Sequence, residues 1–193
     1  MEILGKILGS PARVKIMRLF LNNKSKGFVN KEIAKRSRVE ASQVRRELRL
    51  LSSVGFIKRR GELRSYDPSF KYASEMEGLL INTDTLSNEG ILNTFKRGGK
   101  IKLVIVSGIF IKNKDTRVDL LVVGDALKRG RLEDSVRKLE AEIGSELAYA
   151  IFDTKEFLYR LNMYDKLVRD IVDFPHQVLF QAKELNLKVA RQT

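Results

Sequence analysis

The stretch NKEIAKRSRVEASQVRRELRLLSSVGFIKRRGELRSYDP, residues 30–68, decides how the N-terminal part of the chain folds. Between Ser42 and Gly55 its apolar residues recur at helical spacing, and in helical projection Val44, Leu48 and Leu51 fall on one side. Ser42, Arg45, Arg46 and Arg49 fall on the other, within about a 100° arc. One face therefore belongs to a core and the other is cationic. Gly55 stops this helix. Before it, Asn30 is placed to cap a short helix, KEIAKRS, and RVEAS reads as the turn joining the two. After it, GFIKRRGELRSYDP holds two short strand-like pieces about a Gly-containing turn, closed by Asp67-Pro68.

Upstream, Ser10-Pro11 forms a helix entrance, a capping hydroxyl followed by proline at the first helical position. ARVKIMRLFL then places Val14, Met17 and Leu21, with Ile16, Leu19 and Phe20, at helical spacing, and Gly27 breaks the chain before Asn30. The order is three helices followed by a basic hairpin.

Charge follows the same division. Residues 1–72 carry 18 Lys+Arg against 6 Asp+Glu, whereas residues 73–193 carry 19 against 18, so nearly all of the net charge of +13 lies in the first part. Such an asymmetry points to a polyanion-binding module joined to a near-neutral second domain. The third helix has the matching chemistry: a major groove admits a helix, Arg reads guanine with two hydrogen bonds, and Ser bonds phosphate or base. Ser42, Gln43, Arg45, Arg46 and Arg49 are the candidate groove residues. Lys58, Arg59, Arg60 and Arg64 on the hairpin are placed to touch the DNA backbone or minor groove.

These residues, SPARVKIMRLF and the run from Asn30 to Arg60, resemble the winged-helix domains of bacterial and archaeal transcriptional regulators over about 60 residues. The resemblance implies duplex DNA as partner, bound as a homodimer on a two-fold site. Some winged helices serve as protein–protein modules instead, so an adaptor is a rival reading.

Residues 73–99 read as a helical connector, with KYASEMEGLLINTD and SNEGILNTFKR both helical in pattern. From residue 100 to 193 the pattern is mixed α/β: KIKLVIVSGIF and RVDLLVVGD as strands, LEDSVRKLEAEIG as a helix, ELAYAIFD as a third strand, then one or two helices. VSGIF through RVDLLVV resembles the start of the nucleotidyltransferase fold, in which a strand ends in Gly-Ser and the next strand carries Asp-x-Asp. The expected fold class is therefore α+β, an N-terminal winged helix-turn-helix followed by a small nucleotidyltransferase-like α/β domain.

The resemblance is partial in its chemistry. Gly108 fits the glycine, Ile109 stands in place of the small residue after it, and Arg117 stands at the first metal carboxylate, leaving Asp119 of the pair. Alternate strand residues share a face, which is how two carboxylates clamp Mg2+; an arginine there repels the cation and can pair with Asp119. The site is expected to be catalytically disabled, a fold kept for dimerisation or ligand sensing. Gly108, Arg117 and Asp119 then line a possible cleft for an anionic or nucleotide ligand, with an Arg117–Asp119 ion pair as the plainer alternative. The enzyme rival is an antitoxin-like minimal nucleotidyltransferase modifying a protein or RNA, using Asp119 with Asp115 or Asp153.

Other chemistry is thin. Without cysteine and with one histidine, His176, which reads as structural, neither a disulfide nor a zinc site is expected. No phosphate-binding glycine motif of either common class is present, and RGGK at residues 97–100 is too short to interpret. LKRGRLEDSVRKLEAEI, residues 127–143, has the alternating charge of a solvated helix face. No cofactor or metal is expected. Apolar runs such as LVIV fall far short of the ~20 residues of a membrane helix, so a cytoplasmic protein without a membrane partner is expected.

Overall fold

The Ser10-Pro11 entrance forms as its chemistry dictates: the Ser10 hydroxyl accepts a hydrogen bond from the Arg13 N–H at 3.2 Å, and helix α2 (Pro11–Leu21) follows a short helix α1 (Ile3–Ile7). The computed structural model describes residues 3–81, 86–113 and 116–185. Among them are nine α-helices and two small sheets, an α+β architecture. The chain divides into two compact units, Met1–Ser87 with Arg137–Glu146, and Asn88–Val136 with Leu147–Thr193.

In the first unit α2 buries Val14, Ile16, Leu19 and Phe20 against Ile33 of α3 (Asn30–Ser37) and Val44, Leu48 and Leu51 of α4 (Ala41–Ser53). Each such side chain contributes about 1.5–3 kcal/mol through burial. Asn30 is the first residue of α3 rather than its cap; the Val29 N–H is satisfied instead by the Glu32 carboxylate at 3.3 Å. Arg38, in the left-handed region at φ 52°, turns the chain, buried Val39 plugs the corner, and α4 begins two residues later.

The hairpin is β2 (Ile57–Arg60) and β3 (Leu63–Tyr66), paired antiparallel about Gly61 at φ 61°. A third strand, β1 (Gly27–Phe28), pairs with Ser65 and Arg64 of β3 to give the order β1-β3-β2. Gly27 thus opens a strand, where the sequence suggested only a break. Phe28 packs edge-on to Phe20 at 6.0 Å, and Phe56 to Tyr66 at 5.4 Å, which fastens the sheet to the helices.

Helix α5 (Ala73–Leu80) brings Leu80 into this core, and the Leu80 carbonyl accepts from Nε of buried Arg18 at 2.9 Å. The segment Arg137–Glu146 completes the unit. It includes the end of a long helix (Arg129–Ile143), whose last carbonyls have no partner within the helix. Asn22 Nδ2 donates to Ile143 O at 2.7 Å, Asn23 Nδ2 to Gly144 O at 2.9 Å and Arg18 Nη1 to Glu142 O at 3.2 Å. Gly144, at φ 82°, lies so close to the α2 backbone that a Cβ would overlap Arg18.

The second unit holds α6 (Asn88–Phe95), β4 (Lys100–Val106), β5 (Leu120–Asp125), the first part of that long helix as α7, β6 (Tyr149–Asp153), α8 (Thr154–Asn162), α9 (Lys166–Val172) and β7 (Gln177–Gln181). The sheet order is β6-β5-β4-β7, parallel only between β5 and β6. Strand β7 was not foreseen from sequence. Leu103, Ile105, Leu121 and Val123 pack under Phe157 of α8 and Val168 and Ile171 of α9. The stretch 73–99, expected as one connector, is split: α5 belongs to the first unit and α6 to the second.

Candidate nucleic-acid interface

Helix α4 is held by its one buried acid. Glu47 is 1% exposed and accepts from Arg13 Nε at 2.9 Å and from Arg46 Nη2 at 3.3 Å, while Arg13 Nη1 donates to Leu8 O at 2.6 Å. Burial pushes the Glu47 carboxyl up, but the bonds from Arg13, the Ser10 hydroxyl and Arg46 outweigh it and hold the group below its ordinary range. At the helix start Glu40 accepts from both the N–H and the hydroxyl of Ser42. Those bonds, and the nearby charge of Arg45, lower its pKa.

With α4 so fixed, its outer face forms one wall of a groove of about 750 Å3. Ser42, Arg45, Leu48, Arg49 and Ser52 line it from α4, Asn30 from the start of α3, and Arg59 and Arg64 from the hairpin. No acid lines it. Arg45, Arg49, Arg59 and Arg64 form no salt bridge among the described residues.

The hairpin geometry explains which of its cations take part. Ile57 pairs with Tyr66 and Arg59 with Arg64, so these four share the sheet face that carries the core. Lys58, opposite Ser65, and Arg60, opposite Leu63, point to the other face. The groove therefore receives two of the four hairpin cations named from sequence, Arg59 and Arg64, and not Lys58 or Arg60. Arg59 Nε donates to Gly61 O at 2.8 Å. Partial burial and then the charge of Arg59 hold Arg64 below the usual arginine range. Two arginines directly opposed on neighbouring strands repel, a cost of about 0.2–1 kcal/mol that an anion between them would remove.

On α4 the sequence candidates divide likewise. Ser42, Arg45 and Arg49 line the groove, Arg46 turns aside to Glu47, and Gln43 is exposed outside the lining. Asn30, Leu48 and Ser52 complete the wall unannounced. Ser52 was within reach of the helical projection, since it follows Arg45 by seven residues, two turns along the same face. Asn30 carried no such signal.

The second candidate region is built differently from its sequence pattern. Strand β5 begins at Leu120, so Arg117 and Asp119 precede it and share no strand face. Arg117 has a 69% exposed side chain and pairs with Asp170 of α9 at 3.6 Å, not with Asp119. Asp119 fastens backbone: Oδ1 accepts from Ile109 N and Oδ2 from Ala148 N, both at 2.9 Å. Gly108, at φ 53°, is required there because a Cβ would overlap Asp119 Oδ1. Asp153 caps α8 by accepting from Glu156 N at 2.8 Å, and Asp115 lies outside the described residues. Buried His176 holds the chain through Nδ1 and Phe174 O at 2.8 Å. Among the described residues no group of three or more His, Cys, Asp or Glu is placed to hold a metal ion, and no helix is long and apolar enough to cross a membrane.

No family model, curated protein or solved structure matches the chain.

Proposed function

We propose that this protein is a sequence-specific duplex-DNA-binding regulator, in which the first unit acts as a winged helix: α4 enters the major groove and the β2–β3 hairpin is the wing. The observation that carries this reading is the groove between α4 and the hairpin, lined by four arginines without an acid. Arg45 and Arg49 stand one turn apart on a helix face, the spacing at which two guanidinium groups reach neighbouring base edges. Ser52 and Asn30 supply hydroxyl and amide groups for phosphates, while Ser42, whose hydroxyl donates to Glu40, lines the groove beside them. Lys58 and Arg60, on the other hairpin face, suit backbone contacts outside the groove. A homodimer on a palindromic site is the arrangement that the winged-helix resemblance implies.

The second unit is proposed as a nucleotidyltransferase-like fold without nucleotide transfer. An antiparallel strand pair with a third strand parallel to the second supports the fold. The engagement of Asp119 by two backbone N–H groups, and of Asp153 as a helix cap, supports the loss of the metal site.

Binding of the full chain to a cognate duplex tests the assignment. Arg45→Ala or Arg49→Ala is expected to cost about 1–3 kcal/mol on that site and to relax its sequence preference. Unchanged affinity and preference in the double variant would remove α4 from the interface and leave the adaptor reading in its place.

A further inference from the structure

The near-zero net charge of the second half conceals a local concentration of cations. Gly98 and Gly99 close the turn between α6 and β4. A Cβ on Gly98 would overlap the Leu132 side chain, and one on Gly99 would lie 2.7 Å from Ala126 O and 3.0 Å from Leu127 Cα. Lys128 N donates to Gly98 O at 2.8 Å. Two turns some thirty residues apart are thus packed backbone against backbone, as only glycine permits.

Their flanking residues are Lys96, Arg97 and Lys100 on one turn and Lys128, Arg129 and Arg131 on the other. All six are exposed, and none is in an ion pair among the described residues. The acids nearest in sequence do not neutralise them. Asp125 is taken by Lys102 at 2.8 Å, and half-buried Glu133 and Asp134 form an ion pair with none of the six. The first turn of α7 contains no acid. Six like charges on two tightly joined turns raise the local positive potential, which draws polyanions to this corner.

We propose that this corner of the second unit is a second nucleic-acid surface, which grips the phosphate backbone without reading sequence. It rests on the reading of the protein as a DNA-binding regulator, and adds a contact that the groove between α4 and the hairpin does not supply. Exposed lysines and arginines that, among the described residues, stack on no aromatic ring suit phosphates rather than bases. An anionic lipid surface offers the same charge; the DNA contact proposed for the first unit favours nucleic acid, and vesicle binding separates the two.

The test uses the full chain and the variant Lys96→Gln/Arg97→Gln/Arg129→Gln/Arg131→Gln, with Arg97→Gln/Arg129→Gln as a milder form. All four positions are exposed, so the melting temperature is expected to stay as in wild type. Affinity for a cognate duplex with long flanks is measured across a salt series. Each lost phosphate contact flattens the slope of log K against log salt by about 0.9, so the quadruple variant should bind with a slope shallower by about 2–3 while preferring the same sequence. A slope equal to that of wild type in both variants overturns the proposal. So does loss of binding to phosphatidylserine vesicles with DNA binding intact, which reassigns the corner to membranes. The proposed function fails separately: then neither wild type nor Arg45→Ala/Arg49→Ala discriminates among sequences at all.

Discussion

Arg64 stands where stability and binding pull in opposite directions. It faces Arg59 across the hairpin and its charge is partly desolvated, so the free protein carries a repulsion. Replacing Arg64 by threonine, which favours strands, removes the like-charge pair. Arg64→Thr is therefore expected to stabilise the free protein by a few tenths to about 1 kcal/mol in denaturant unfolding, while weakening DNA binding. A variant that loses stability and keeps full affinity would show that Arg64 serves the fold alone. Asp119 shows the converse case, a residue read as chemistry that serves structure. Its carboxylate ties the loop after β4 to the start of β6. Asp119→Ala should cost about 1.5–3 kcal/mol for each charge-assisted bond lost.

At the scale of elements, α4 is the part most legible in sequence, because a half-buried helix writes its orientation in a 3.6-residue period. Val44, Leu48 and Leu51 are buried, as the projection placed them. Its anchoring was not legible, since Glu47 meets Arg13 across 34 positions of sequence. That pair sets an acid limit. The Glu47 carboxyl is held below its ordinary 4.5, so the stability it contributes is present above that value and is lost as pH falls through the lowered one. Glu47→Gln is expected to lower stability at neutral pH by about 1–3 kcal/mol, and the gap from wild type should narrow in acid. A constant gap from pH 7 to pH 3 in thermal unfolding would contradict the coupling. Strands β1 and β7 escaped the sequence reading for a different reason. A two-residue strand has no period, and QVLFQ is half-exposed along its length, so the alternation that marks a strand is blurred. Likewise RVDLLVV reads in sequence as a single strand, yet only its uninterrupted apolar part from Leu120 onward is strand.

For the whole molecule, composition revealed the basic first half and concealed the basic corner of the second. Net charge is a sum along the chain, whereas the Lys96–Arg131 corner is made by two glycines that let distant turns touch. The same limit applies to the metal question: spacing in RVDLLVV suggested a damaged carboxylate pair, and the fold shows Asp119 bound to two backbone N–H groups and Asp153 capping a helix. In Mg2+ with labelled nucleoside triphosphates the protein is expected to transfer no label to itself or to RNA. Label that depends on Mg2+ and vanishes in Asp119→Ala, with folding retained, would make it an enzyme.

Selection of genomic fragments by the purified protein at near-physiological salt, run beside Arg45→Ala/Arg49→Ala, asks whether the groove between α4 and the hairpin reads DNA sequence. Wild type should enrich one family of palindromic sites, and the variant should lose that enrichment while keeping weak, salt-sensitive binding to all fragments. Enrichment that survives in the variant, or no enriched sequence in wild type, would contradict the assignment.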